Sequence, residues 1–309
     1  MKISIVFQGP VIFFRGQNLT KNAIVSALKY FKDAEIILST WEGQELHEIK
    51  NLNVKIILNK DPGSEIRKDN PKTFHNANRI ILSSLEGIKI ASNNIIIKCR
   101  SDIIFKNNQC LNFIKLYKKF DENYKIFDSK VVVSNQTTIN TKYGPKLLYH
   151  VCDWFFIGHK SDLLKIFEIE FIKDEDIRYY SISTKPENKI DKDNISRFMA
   201  EDYITHKFIL KYKNIRHDFY CDYDSKEKEK YERILASNFI VVDNFRLGFR
   251  AGKYFNLSSR YLWKSYTFNE WLSIYRKYTL NEDSFIFDID RAKLCILNPI
   301  KSLMFLIKK

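Results

Sequence analysis

Residues 2–10 read KISIVFQGP, a β-branched run stopped abruptly by Gln8, Gly9 and Pro10. An apolar run of that length closed by turn formers predicts a buried strand. Downstream, Thr20 caps a helix that carries Ile24, Val25, Leu28 and Phe31 on one face. Residues 35–40 (EIILST) form a second strand that runs into Trp41, and residues 54–58 (VKIIL) a third that runs into Asp61-Pro62-Gly63. A helix from about residue 76 to 92 repeats Ala77, Ile81, Leu85 and Ile88 at helical spacing, and residues 95–99 (IIIKC) form a fourth strand ending in Arg100-Ser101-Asp102. Strands separated by crossover helices must pair in parallel, because only a parallel connection needs so long a return path. The fold class is therefore α/β, with a Rossmann-like, mostly parallel sheet flanked by helices.

The second half is less regular. Residues 130–134 and 152–158 read as strands, Ser161 opens a short helix, residues 195–212 form a helix or a helix with a break, and residues 238–242 form another strand. No Pro-, Gly- or Ser-rich linker interrupts the chain, so residues 1–290 are read as a single enlarged domain. Residues 291–309 form a basic, apolar tail with five Lys or Arg and no acid, suited to an anionic membrane surface or to docking on the domain.

Composition excludes several classes. No stretch approaches the roughly 20 apolar residues of a membrane span, and the N-terminal run breaks too early for a signal peptide. Five cysteines, an odd number without CxxC spacing, fit neither a disulfide framework nor a zinc site and suit a reducing compartment. The expected location is the cytoplasm, peripheral on the inner membrane. A net charge of +14 favours anionic partners such as phosphates or phospholipid; no nucleic-acid-binding motif accompanies it. Neither GxGxxG nor GxxxxGK[ST] is present.

In a parallel sheet, ligands gather at the carboxyl ends of the strands. That points to Gln8, Gly9, Pro10, Thr40, Trp41, Asp61, Arg100, Ser101 and Asp102 as residues around a ligand. Asp102 is either a turn residue or a carboxylate that holds a divalent metal, Mn or Mg, against a diphosphate; Arg100 is placed to meet phosphate directly. Asp153 and Trp154 are candidate substrate contacts. Glu201 and Asp202 lie in a largely apolar segment where partial desolvation suits a general base, and Asp202 is slightly preferred. His217 is a further candidate metal ligand or phosphate contact.

The segments ISIVFQGPV, EIILSTWEG, KDPG, NANRIILSSLEGIKIA and IIIKCRSD, followed by CDWFFIGHKSDLLKIF and AEDYITH, together resemble the WavE family of lipopolysaccharide-synthesis proteins. The resemblance runs to about residue 210. The layout is also similar to GT-A glycosyltransferases, in which an Asn/Arg pair on a helix packs near the nucleotide and a DxD motif after the fourth strand meets ribose and metal. Asn78 and Arg79 match the first, and Arg100-Ser101-Asp102 the second, with Arg100 in place of the first acid. Glu201-Asp202 matches the acidic pair that supplies the base in inverting members. The resemblance implies transfer of a sugar from a nucleotide-sugar donor to a lipid-linked or oligosaccharide acceptor of lipopolysaccharide, lipooligosaccharide or capsule. The alternatives are a sugar nucleotidyltransferase and a non-catalytic polysaccharide- or membrane-binding protein.

Overall fold

The computed structural model describes residues 1–63, 65–66, 74–184, 194–253, 262–282, 286 and 288–292. Its central sheet has seven strands: β1 (Ile3–Gln8), β4 (Glu35–Trp41), β5 (Lys55–Asn59), β8 (Ile95–Arg100), β10 (Val131–Ser134), β11 (Phe155–His159) and β12 (Phe239–Val242). Their spatial order is β5-β4-β1-β8-β11-β10-β12. All neighbours pair in parallel except at β11, which runs antiparallel to both β8 and β10. This is the mostly parallel sheet that the alternation of strands and helices predicts. Between the main strands lie a hairpin of β2 (Phe13–Phe14) and β3 (Gln17–Asn18), the antiparallel pair β6 (Glu65–Ile66) and β7 (Phe74–His75), and β9 (Ile103–Phe105), which pairs with β13 (Phe249–Ala251).

The inner strands read as continuous apolar runs because both faces are covered. Ile5, Val6 and Phe7, Ile37 and Leu38, Ile96 and Ile97, Val131 to Val133 and Ile240 to Val242 are all fully buried in one core. Helix α1 (Leu19–Tyr30) contributes Ala23, Ile24 and Ala27 to it, and α2 (Ala77–Ile90) contributes Ala77, Ile81 and Ile88. The latter helix approaches the sheet very closely at Gly87, where a Cβ would come within 2.4 Å of Val6 Cγ1 and 3.2 Å of Ser39 Cβ. Farther along come α3 (Lys160–Phe167), the single turns α4 (Asp174–Ile177) and α5 (Tyr179–Ile182), α6 (Ala200–Leu210), α7 (Ser225–Asn238), the turn α8 (Asn244–Leu247) and α9 (Phe268–Tyr275).

Several local expectations are corrected. The cap of α1 is Asn18, whose side chain accepts from the Lys21 amide at 2.9 Å; Thr20 lies inside the first turn, where its hydroxyl accepts from the Ile12 amide at 2.9 Å. Only Ala200–Leu210 of the stretch 195–212 is helical. The strand expected at 152–158 begins at Phe155, so Cys152, Asp153 and Trp154 form the loop entering it. Cys99, Cys110, Cys152 and Cys221 are free and buried. The tail beyond Ala292, with Cys295, lies outside the described residues.

Candidate functional site

At the carboxyl edge of the sheet, β1 is flanked by β4 on one side and β8 on the other, and Gln8 stands in register with both Ser39 and Arg100. The strand order diverges here, leaving a crevice above the strand ends. It is a cavity of about 440 Å³ lined by Gln8, Gly9, Pro10, Trp41, Asp61, Arg79, Arg100, Ser101 and Asp153, with Ile12, Gln44, Asn76, Ile80 and Lys253 completing the wall. Nine of the expected site residues therefore converge on one space.

The chain turns sharply at its floor. Gly9 has φ of +109°, a conformation that a side chain disfavours, and its amide donates to Ser39 O at 3.0 Å. Ser101 Oγ donates to Pro10 O at 2.6 Å and the Ser101 amide to Gln8 O at 3.0 Å, which locks the exits of β1 and β8 together. Gln8 Oε1 accepts from Ser83 Oγ of α2 at 2.8 Å. That helix begins at the cavity, where Asn76, Arg79 and Ile80 face it, and its unpaired N-terminal amides favour an anion. Arg79 Nε donates to Asp61 Oδ1 at 2.8 Å; the guanidinium holds the Asp61 carboxyl below its usual range.

Asp102 is placed differently from expectation. It is fully buried, and its carboxylate lies below the cavity wall rather than in it. Arg100 Nε donates to Asp102 Oδ1 at 3.0 Å, Arg100 Nη2 to Oδ2 at 3.2 Å, and the Lys253 amide to Oδ2 at 3.0 Å. Asp102 thus fixes two cationic residues that do line the cavity. The Arg100 guanidinium also lies 4.4 Å from the centre of the Trp154 ring, so Trp154 is a platform for Arg100. Asn78 likewise turns away from the cavity: its side chain accepts from the Ile172 amide at 2.8 Å and donates to Ile172 O at 3.2 Å, tying α2 to a loop. Thr40 is buried and does not line the cavity either.

Because β11 runs antiparallel, the loop entering it arrives at the carboxyl edge of β8. The Arg100 amide donates to Trp154 O at 3.0 Å, and Asp153 reaches the cavity beside it. Beneath, the fully buried Lys98 donates to the Asp153 carbonyl between the rings of Phe156 and Phe167; burial pulls its ammonium down to about 8. Glu201, in the first turn of α6, does not itself line the cavity but lies within electrostatic range of Asp153, which does. Its carboxyl is pushed up, chiefly by burial and further by the Asp153 charge, while His150 opposes the rise. His150 Nδ1 donates to Thr137 O at 2.8 Å, and its Nε2 lies 3.9 Å from Glu201 Oε2, within electrostatic range but beyond hydrogen-bonding distance.

The other member of the acidic pair faces away. Asp202 is fully buried, its Oδ2 3.0 Å from His217 Nε2, in a cluster with His206 and Phe198. Of the pair, Glu201 is therefore the one in electrostatic range of the cavity residue Asp153, while Asp202 is enclosed with His217. His217 is shut in with Asp202, and Asp102 is committed to Arg100, so the two expected metal ligands belong to separate clusters. Among the described residues no three His, Cys, Asp or Glu side chains gather as a metal-binding group. This donor set does not fit a divalent ion held by the protein's own side chains.

The residues missed in the sequence were Ile12, Gln44, Asn76, Ile80 and Lys253. Asn76 and Ile80 flank Arg79 on the helix and could have been found by its periodicity. Lys253 lies 151 positions from its anchor Asp102, and no local pattern announces it.

The WavE lipopolysaccharide synthesis family matches residues 3–299, nearly the whole chain. No curated protein matches. Among solved structures, 4-diphosphocytidyl-2C-methyl-D-erythritol synthase from Anaerococcus prevotii is similar at 13% identity and a TM-score of 0.37, covering 77% of this chain and 96% of its own. HddC from Yersinia pseudotuberculosis is similar at 14% and 0.34, covering 69% and 100%. S. aureus TarS is similar at 14% and 0.37, covering 96% of this chain but 47% of its own. These likenesses are too weak to carry an argument about activity.

Proposed function

Because this chain belongs to the WavE lipopolysaccharide synthesis family, we propose that it is a glycosyltransferase moving a sugar from a nucleotide-sugar donor to a lipopolysaccharide, lipooligosaccharide or capsule acceptor. The observation that carries the reading is the cavity where the sheet order diverges, lined by Arg79, Arg100, Lys253, the start of α2 and Asp153, the last of which acts electrostatically on Glu201 just outside the lining. The cations and the helix N-terminus are suited to a diphosphate. Trp41 and Ile12 offer apolar surface to the base or ribose.

The chemistry is a direct displacement. Glu201 takes the proton from the acceptor hydroxyl as that oxygen bonds to the anomeric carbon. The bond from that carbon to the diphosphate oxygen breaks, and the electron pair leaves with the nucleoside diphosphate, whose charge Arg100 and Lys253 stabilise. Attack opposite the leaving group inverts the anomeric centre. The acceptor is lipid-linked or an oligosaccharide, met at the cytoplasmic face of the inner membrane. Among the described residues no helix is long and apolar enough to cross a membrane; the contact proposed there is peripheral.

Thermal-shift titration with UDP-, GDP- and CMP-sugars, with and without manganese, followed by turnover with the stabilising donor, tests the proposal. Stabilisation by one nucleotide-sugar and release of its nucleoside diphosphate are expected. Pyrophosphate release from a nucleoside triphosphate and a sugar 1-phosphate would establish a nucleotidyltransferase instead, and binding of polysaccharide without any nucleotide would establish a binding protein.

A further inference from the structure

Just past the cavity floor the chain makes a two-stranded hairpin whose tip is apolar and bare. Phe13 is 44% and Phe14 38% exposed. Consecutive strand residues point to opposite faces, so two exposed neighbours mean that both faces of this ribbon stand clear of the body. Phe13 pairs with Asn18 and Phe14 with Gln17 across a two-residue turn, Arg15-Gly16, whose φ angles are 50° and 73°. Two successive positive φ values belong to the tight turn whose twist matches a hairpin.

The feet of the hairpin are fixed. The Ile12 amide donates to Thr20 Oγ1 at 2.9 Å, the Leu19 amide donates to Ile12 O at 2.8 Å, and Asn18 caps α1. The ribbon is therefore a built projection that presents two adjacent, partly exposed aromatic rings at its tip. The Arg15 guanidinium lies 5.2 Å from the centre of the Phe14 ring, so cation and aromatic form one tip. No acid occurs between Gln8 and Lys21, and the whole chain carries +14.

We infer that this tip enters the interface of a bilayer containing anionic lipid. Phenylalanine rings settle at the boundary of headgroups and acyl chains, and an adjacent arginine pairs with lipid phosphate. Ile12, at the base of the same hairpin, lines the cavity, so the finger marks the side of the site that meets the membrane. That last point rests on the proposed glycosyl transfer, because a lipid-linked acceptor would enter from there. The contact itself does not depend on it.

Co-sedimentation of the full chain with phosphatidylethanolamine vesicles, with and without phosphatidylglycerol, decides the matter. The Phe13→Ser/Phe14→Ser pair should bind phosphatidylglycerol-containing vesicles about tenfold or more weakly than the parent. The Phe13→Leu/Phe14→Leu pair should keep most of the binding. Arg15→Glu should weaken binding only where phosphatidylglycerol is present. Melting temperature and donor-induced stabilisation should not change, since neither ring lines the cavity. A parent chain that stays in the supernatant overturns the inference, as does a serine pair that binds like the parent. Should the serine pair melt early, Arg15→Glu decides: unaltered binding to anionic vesicles overturns it. Vesicle binding is read without donor or acceptor, so its failure leaves the transferase proposal standing, and an inactive transferase leaves the membrane contact standing.

Discussion

Replacing Glu201 by Gln keeps the shape of the side chain and removes its ability to take a proton. Turnover should fall by about 10²–10⁴-fold, the range of general acid–base catalysis, with donor-induced thermal stabilisation retained; parental turnover would dismiss Glu201 as the base. Its neighbour should behave in the opposite way. Asp202→Asn weakens the buried contact to His217 Nε2 and should cost about 1–3 kcal/mol of stability, read by urea unfolding. Asp102→Asn disturbs a fully buried carboxylate held by two Arg100 nitrogens and the Lys253 amide. It should lose about 2–3 kcal/mol and also weaken donor binding, because Arg100 and Lys253 lose their anchor. An unchanged urea midpoint would contradict this. The sequence made the acidic pair visible but not its division: adjacent residues on a helix point about 100° apart, and only the packing of α6 decides which of them faces Asp153.

At the scale of elements, α2 offers a test in which two effects oppose each other. Alanine in place of a mid-helix glycine ordinarily gains about 1 kcal/mol from helix propensity. At Gly87 the added Cβ would meet Val6 Cγ1 at 2.4 Å, and overpacking of that kind costs about 1–3 kcal/mol. Gly87→Ala should therefore be destabilising in urea, and a stabilised variant would mean that the helix can lift from the sheet at little cost. The first four main strands were legible to within two residues of their ends: burial on both faces makes β1, β4 and β8 nearly unbroken apolar runs, and the edge strand β5 was carried by its Ile56-Ile57-Leu58 core. Helix α7, SKEKEKYERILASN, was missed because its buried apolar residues, Tyr231, Ile234, Leu235 and Ala236, crowd into its second half and leave no early periodicity. Its cap was readable all the same: Asp224 accepts from the amides of Lys226 and Glu227 at 2.8 and 2.9 Å. Neither did the sequence reveal that residues 152–154 are loop, since CDWFFIG is apolar throughout apart from Asp153, whose backbone is held by a lysine 55 positions away.

For the whole molecule, acid should be destabilising through two histidines, His206 of α6 and His75 of β7. His206 is pushed down to about 3, first by burial and then by His217, and burial also lowers His75. Folding therefore disfavours protonation of both, of His206 most clearly, whereas in the unfolded chain they bind protons near pH 6.5. The unfolded state then holds more protons, so stability present above about pH 6.5 is lost as pH falls, by up to about 1.4 kcal/mol per pH unit for each histidine. Asp243, raised to about 6 chiefly by burial, works the other way, gaining stability as pH drops from about 6 to 4. The difference between the parent and His206→Phe isolates the first effect: the variant's unfolding free energy should fall less steeply between pH 6.5 and 4, and parallel curves would show that His206 is not held neutral. The sheet order bears, finally, on how the chain is made. Four parallel strands can close once Arg100 has left the ribosome, but β10 has no partner until β11 inserts between it and β8 and β12 arrives at residues 239–242. Synthesis halted between residues 134 and 155 would leave the apolar run Val131–Ser134 and the open edge of β8 exposed together, a combination that promotes aggregation. Chains truncated there should pellet on centrifugation, while the N-terminal sheet in a longer nascent chain serves as the template on which the later strands are laid.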